Sequence, residues 1–310
     1  MEQYHMCELE FQGEALNSSW AQVDLTASFS KGGKEYSIPG FYAGNGSYKV
    51  RFLPETAGDW EYEVSGCIKA AGVVSVEPAQ GSHGMVRAEG LHFVYQDGTF
   101  YYPFGTTVYA LLHQKDMLIK QTMESLRNAP FNKIRFCIFP KHYDYNHNEP
   151  SLFAFERNDD QSWDTGKPCF AFWDRLDEIL FQLEAMEIQA DLILFHPYDR
   201  WGFSDMPQKD NLIYLDYLTR RLAAHPNVWW SLANEYDLCQ QKTMDDWKEI
   251  ETFVARHDSY GHLLSSHNCF KNWDYARPDV SHVSIQSKAI NKVLDWRKKY
   301  QKPVIIDECG

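Results

Sequence analysis

Val228-Trp229-Trp230-Ser231-Leu232-Ala233-Asn234-Glu235-Tyr236-Asp237 begins as an apolar run of strand length, rich in β-branched and aromatic side chains. That is the pattern of a strand buried on both faces. It ends abruptly in Asn-Glu, where the strand leaves the core. Ahead of it, Asn211 to His225 reads as a helix with Tyr214, Leu215, Leu218 and Leu222 on one face, and Pro226-Asn227 breaks that helix. Helix, break, buried strand and a carboxylate at the strand's carboxyl end is how an α/β barrel displays polar groups on one rim. Lys302-Pro303-Val304-Ile305-Ile306-Asp307-Glu308 repeats the design after a helical Ile290 to Tyr300. Two strand-end glutamates in one barrel suit a two-carboxylate hydrolase.

Working outward, strand and helix patterns alternate, which implies parallel βα units. The expected strands are Tyr102–Ala110, Lys133–Phe139, Ala190–His196, Val228–Leu232, Leu263–Ser266, His282–Gln286 and Pro303–Ile306. The expected helices are Leu118–Asn128, Trp173–Met186, Asn211–His225, Thr243–His257 and Ile290–Tyr300. No Gly-rich phosphate loop follows the first strand, so the alternation favours a (β/α)₈ TIM barrel over a doubly wound sheet. The count reaches seven strands and stops. Closure needs an eighth strand and its helix, so the chain is expected to be truncated after strand seven, and less stable than one extended through them.

Upstream, the first eighty residues alternate apolar and polar as short strands do: Cys7–Phe11, Asp24–Phe29, Tyr48–Phe52 and Trp60–Val64. Gly32-Gly33, Gly44-Asn45-Gly46 and Ala57-Gly58-Asp59 supply the turns. A small β-sandwich is expected at 1–80 and the barrel at 81–310, across the linker Glu77–Gly84. A hairpin with Asp97-Gly98 at its turn opens the second segment.

Composition narrows the function. A formal net charge of −13 argues against nucleic acid or an anionic membrane surface as partner. No stretch approaches a membrane span in apolar length, and Met1 to Leu9 lacks a signal-peptide core. Seven scattered cysteines, without metal-type spacing, read as free thiols of a reducing compartment, hence a cytoplasmic protein. Ten Trp and eighteen Tyr suit either a large aromatic core or a sugar-stacking cleft.

Two resemblances sharpen this reading. Ile38–Gly46, Tyr48–Pro54 and Gly58–Tyr62 resemble the immunoglobulin-like domain that precedes catalytic barrels in certain bacterial glycoside hydrolases. Residues 90–308, including Leu194–Phe203, resemble the retaining glycoside hydrolases of clan A. That resemblance implies Glu235 as acid/base and Glu308 as nucleophile, Asn234 on the sugar's 2-hydroxyl and Arg135 near the nucleophile. A retaining pair stands roughly 5–5.5 Å apart, one carboxylate attacking carbon while the other serves the leaving oxygen. On the same rim His196 and Tyr198 end the third strand, His267 the fifth and Gln286 the sixth. Trp201 and Trp273 are loop aromatics that suit sugar platforms or, equally, burial against a neighbouring helix. Gln286 stands where many clan A enzymes carry Tyr or His. It donates a hydrogen bond but does not move a proton.

The expected partner is a carbohydrate, with no cofactor and no metal. His142, His196 and His267 lack a His-x-His or His-x-x-x-His partner, which disfavours a metal-dependent barrel hydrolase. A non-catalytic carbohydrate-binding or degenerate barrel is the rival reading. The sugar, the linkage and the oligomeric state are left open.

Overall fold

The computed structural model describes residues 1–309. The amino-terminal part is antiparallel: β1 (Cys7–Gln12), β2 (Leu25–Lys31), β3 (Lys34–Pro39), β4 (Phe41–Gly44), β5 (Ser47–Phe52), β6 (Gly58–Gly66) and β7 (Ala70–Val76). They form a three-stranded sheet, β1-β5-β4, and a four-stranded one, β3-β2-β6-β7. The strict alternation of burial along β2 puts Leu25, Ala27 and Phe29 inside. Phe29 stacks on Phe52 of the facing sheet at 4.1 Å between centroids, and Trp60 closes edge-on against Phe52. The sequence pattern missed β3, β4 and β7. Of these, β4 is short and broken by a register shift, and Ala70-Ala71-Gly72 opens β7 without an apolar alternation to read.

This sandwich is welded to the barrel. Arg51 of β5 donates from both terminal nitrogens to Asp177 (2.8 and 2.7 Å). Asp177 also accepts from Arg221 at 2.7 Å, and His225 lies 3.1 Å from it. All four side chains are buried. The two cations beside Asp177 hold its carboxyl far below the usual range, against the burial that opposes them.

A small sheet of β8 (Val86–Glu89), β9 (His92–Tyr95) and β10 (Phe100–Tyr101) follows, built on the expected hairpin. It packs Val86, Phe93 and Tyr101 against Trp229 and Leu263, so it plugs the amino-terminal mouth of the barrel.

Barrel strands β11 (Gly105–Thr107), β12 (Lys133–Cys137), β15 (Gln189–Phe195), β16 (Val228–Ala233) and β17 (Leu264–Ser265) form one parallel sheet in that order. Gly105 is needed for the first pairing, since a Cβ there would sit 2.3 Å from the Lys133 carbonyl oxygen. β18 (Val283–Gln286) and β19 (Val304–Glu308) make a parallel pair. They join β17 through Ser281 N to Leu264 O (2.9 Å) and Ser265 Oγ to His282 O (2.7 Å). Helices α1 (Asp116–Arg127), α2 (Phe170–Glu184), α3 (Gln208–Leu222), α4 (Met244–His257) and α5 (Val293–Tyr300) alternate with the strands. An antiparallel insertion, β13 (Phe155–Arg157) with β14 (Trp163–Pro168), precedes α2 and went unread in the sequence. Among the described residues β11 and β19 are not paired with each other. A groove of about 520 Å³, lined in part by Phe100, Tyr102, Val293, Val304 and Ile306, lies between the β9–β10 hairpin and the α5–β19 segment. No described helix is long and apolar enough to cross a membrane.

Candidate active site

β12, β15 and β16 are buried along their whole length. Side chains that point inward therefore meet one another in the barrel's interior. Near its floor these are charges. Lys133 Nζ lies 2.7 Å from Asp191 and 2.9 Å from Asp307, so an ion-pair cluster ties β12 and β15 to β19. Arg135 joins it, with Nε 3.2 Å from Asp191 and 3.8 Å from Asp307, and Nη2 donating to Ser231 Oγ at 3.2 Å. Arg135 is expected near the nucleophile. Its contacts are within the buried cluster, and it reaches the residue before Glu308.

Above this layer the chain leaves β16 under strain. Glu235 takes left-handed dihedrals, φ 53° and ψ 57°, which cost a non-glycine residue about 1–3 kcal/mol. Its surroundings over-determine it. Asn234 N donates to Phe195 O (2.9 Å), Tyr236 N to His267 O (3.0 Å) and His267 N to Ala233 O (3.1 Å). Behind it, Asp237 accepts from the amides of Cys269, Phe270 and Lys271 at 2.7–2.8 Å, fixing the loop after β17. The Glu235 side chain, 5% exposed, accepts from Tyr198 Oη and from Asn234 Nδ2 at 3.4 Å. In the amide orientation that satisfies its neighbours, Gln286 donates to Glu235 Oε1 and to the Asn268 carbonyl, both at 3.0 Å.

Gln286 is also the ladder partner of Glu308, whose carbonyl accepts from Ser287 N at 3.0 Å. One residue thus pairs with the Glu308 backbone and hydrogen-bonds the Glu235 carboxylate. Glu308 Oε2 lies 3.8 Å from His267 Nε2, and burial raises the Glu308 carboxyl above its ordinary value. His267 is wholly buried, and desolvation, with Arg135 adding to it, lowers its ring to about 3. It is neutral at physiological pH.

The remaining expected site residues divide. Tyr198 is on the rim, and burial together with Glu235 pushes its phenol well up, so it stays a donor. Trp201 is half-buried, its indole N–H on Glu149 at 2.9 Å and the Arg200 guanidinium 5.0 Å from its ring centroid. His196 lies beneath the rim: Nε2 is 3.1 Å from the Phe139 carbonyl, and desolvation lowers it to about 4. It supports the strand end rather than facing the cleft. Trp273 corrects the expectation of a sugar platform. It is 1% exposed, its indole donates to Glu251 at 2.9 Å, and its ring packs nearly perpendicular to that of Tyr236, 4.9 Å between centroids. The loop folds it inward, where it clamps the residue after Glu235. Sequence reading puts Lys141 on the rim without a role and leaves Tyr109 out of the site. Tyr109 Oη donates to Asn234 Oδ1 at 3.4 Å; a lone Tyr after a short strand gave no signal. Among the described residues no group of three or more His, Cys, Asp or Glu is arranged to hold a metal ion.

Fold and rim together define a parallel α/β barrel with one strand-end glutamate on each of two strands, bridged by a glutamine between them. Residues 87–310 match the family model described as apiosidase-like, catalytic domain, and residues 1–66 match a domain of unknown function, DUF5060. The chain belongs to the apiosidase-like catalytic domain family. A Bacteroides vulgatus protein provisionally named a glycoside hydrolase is 40% identical over the whole of this chain, with a TM-score of 0.93. This chain spans 64% of that protein's length. A glycoside hydrolase family 5 protein from Bacteroides vulgatus shares the fold at 17% identity and a TM-score of 0.55, covering 73% of this chain and 53% of the other. A family 5 mannosidase from Rhizomucor miehei does so at 13% and 0.53, covering 73% of each. Among curated proteins, none matches the chain.

Proposed function

We propose that the protein is a retaining O-glycosidase acting on a poly- or oligosaccharide, with Glu235 as acid/base and Glu308 as nucleophile. The observation that carries this reading is Gln286, whose backbone pairs with Glu308 and whose amide reaches Glu235. It links the two strand ends that carry the acids. Glu308 attacks the anomeric carbon while Glu235 protonates the leaving oxygen. Glu235 then deprotonates the water that hydrolyses the glycosyl-enzyme. Asn234, held by Tyr109, is placed for the 2-hydroxyl, and Trp201 for a flanking ring. His267, neutral beside Glu308, orients the nucleophile without competing for its charge.

The family description makes apiosides the first glycones to assay. The amino-terminal sandwich is read as immunoglobulin-like, a reading supported by its two facing antiparallel sheets. A reducing, cytoplasmic setting is supported by seven free cysteines, three of them buried.

The experiment is aryl-glycoside turnover by Glu235→Ala. The first step should survive for good leaving groups, deglycosylation should slow, and azide should restore rate by forming a glycosyl azide of retained configuration. An azide product of inverted configuration, or wild-type turnover without azide, would refute the assignment. Binding of oligosaccharide with no turnover of any glycoside would favour the degenerate barrel.

A further inference from the structure

Lys141 is the buried cation that the mechanism above does not use. It follows β12, is 4% exposed, and among the described residues its ammonium has no carboxylate within 4 Å and no hydrogen-bond acceptor. Aromatic faces surround it instead. Nζ stands 3.6 Å from the Tyr109 ring centroid and 4.3 Å from that of Tyr198, with Tyr143 at 5.4 Å and Tyr145 at 6.0 Å. Cations are held over such faces by the ring quadrupole. The two nearest rings are the two whose hydroxyls hold the Asn234-Glu235 pair: Tyr109 donates to Asn234 and Tyr198 to Glu235.

A cation over a phenol draws electron density from the ring, and with it from the oxygen, so the O–H becomes a stronger donor. A stronger donor to a carboxylate favours its ionised form. We propose that Lys141 is a positioning residue for the Asn234-Glu235 pair, acting through Tyr109 and Tyr198 to strengthen the hydrogen bonds that orient the acid/base and stabilise its carboxylate. The inference rests on the reading of Glu235 as acid/base. It supplies what that reading needs: a buried carboxyl must still ionise to act as base in deglycosylation.

Other charges face the same groups. Arg135 and Cys137 on β12 lie within electrostatic reach of Lys141, and Cys269, after β17, faces Glu235. Burial pulls the ammonium below its ordinary value, and Glu235 opposes that pull.

The test compares Lys141→Met, Lys141→Arg and wild type by ¹³C-carboxyl NMR of Glu235 and by the pH profile of kcat/KM. In K141M the Glu235 titration midpoint should rise by about one pH unit, the basic limb of the profile should follow it, and kcat should fall about tenfold with KM little changed. K141R, which keeps the cation, should stay near wild type. In a Y109F/Y198F background K141M should add less than half of that shift. An unmoved midpoint in K141M, equal shifts in K141M and K141R, or a full additional shift without the phenol hydroxyls would overturn the proposal. Should K141M not fold, Y198F alone must raise the midpoint, and its failure to do so is equally decisive against. The NMR arm needs no turnover. If Glu235→Ala proves fully active, the functional reading falls while the Lys141 relay is still judged on its own.

Discussion

The two glutamates sit at the ends of strands built in different ways. β16, which leads to Glu235, is paired on both sides and buried at every residue, and its end is strained yet pinned by three backbone hydrogen bonds. β19, which leads to Glu308, is paired on one side only among the described residues, and every residue in it is half-buried. Ladder and packing therefore fix Glu235, whereas Glu308 depends on a polar anchor one residue earlier. Although the residue as a whole is half-buried, the Asp307 side chain is only 3% exposed and is held by Lys133 and Ser284, and its carboxyl is driven far below the usual range by Lys133 and Arg135 against burial. A strand too exposed to be fixed by apolar contact is fixed by charge.

The largest effects should come from the carboxylates themselves. Glu308→Gln should remove turnover by on the order of 10³-fold or more, since no covalent intermediate forms. Steady-state kinetics with an aryl glycoside checks this, and near-wild-type activity would dissolve the comparison. Next is the anchor. Lys133→Met leaves Asp307 and Asp191 buried with one cation fewer, which costs about 3–5 kcal/mol. Urea unfolding should show that loss, with activity falling further than in a Glu235-side variant of equal stability. Equal activity losses on both sides would mean that β19 needs no such anchor.

Trp273→Phe is a smaller test. It deprives buried Glu251 of its indole donor and shrinks the packing on Tyr236, so about 1–3 kcal/mol of stability should go. A sugar platform would behave the other way, with KM raised and stability kept.

These contrasts also show what the sequence could and could not tell. The barrel strands were readable because burial on both faces produces unbroken apolar runs, and the helices because their apolar faces repeat. Glu235 and Glu308 stood out as acids at the ends of such runs. Trp273 was misread because a loop assignment says nothing about which way the loop folds, and here it tucks under α4 to meet Glu251. The ion pairs of Arg135 and Lys133 could not be read, since their partners Asp191 and Asp307 lie on other strands and are brought close only by the fold. Lys141 and its tyrosines lie on loops from three different strands, so no spacing along the chain connects them.

The smallest expected effects are those of pH. Burial lowers His113 and His267 to about 3 and His196 and His282 to about 4. Between those values and the ordinary 6.5, the unfolded chain binds more protons than the folded one. Stability therefore rises with pH through that window and falls on acidification, by up to about 1.4 kcal/mol per pH unit for each histidine. His113, with neither ring nitrogen bonded, gives the cleanest test: urea unfolding of His113→Phe should show a shallower loss from pH 7 to pH 5 than wild type. An unchanged slope would contradict the assignment of its neutral form. Activity has a separate limb. Because burial raises Glu308 above its ordinary 4.5, the acid limb of kcat/KM should lie above that value.

The central claim is that Glu308, on the less buried of the two strands, becomes covalently glycosylated. The direct measurement is peptide-mapping mass spectrometry after incubation with a 2-deoxy-2-fluoro glycoside of whichever glycone the enzyme turns over. One glycosyl adduct is expected, on the peptide containing Glu308, absent from Glu308→Gln and released on adding an acceptor alcohol. An adduct on Glu235, or turnover with inverted product and no adduct at all, would contradict it.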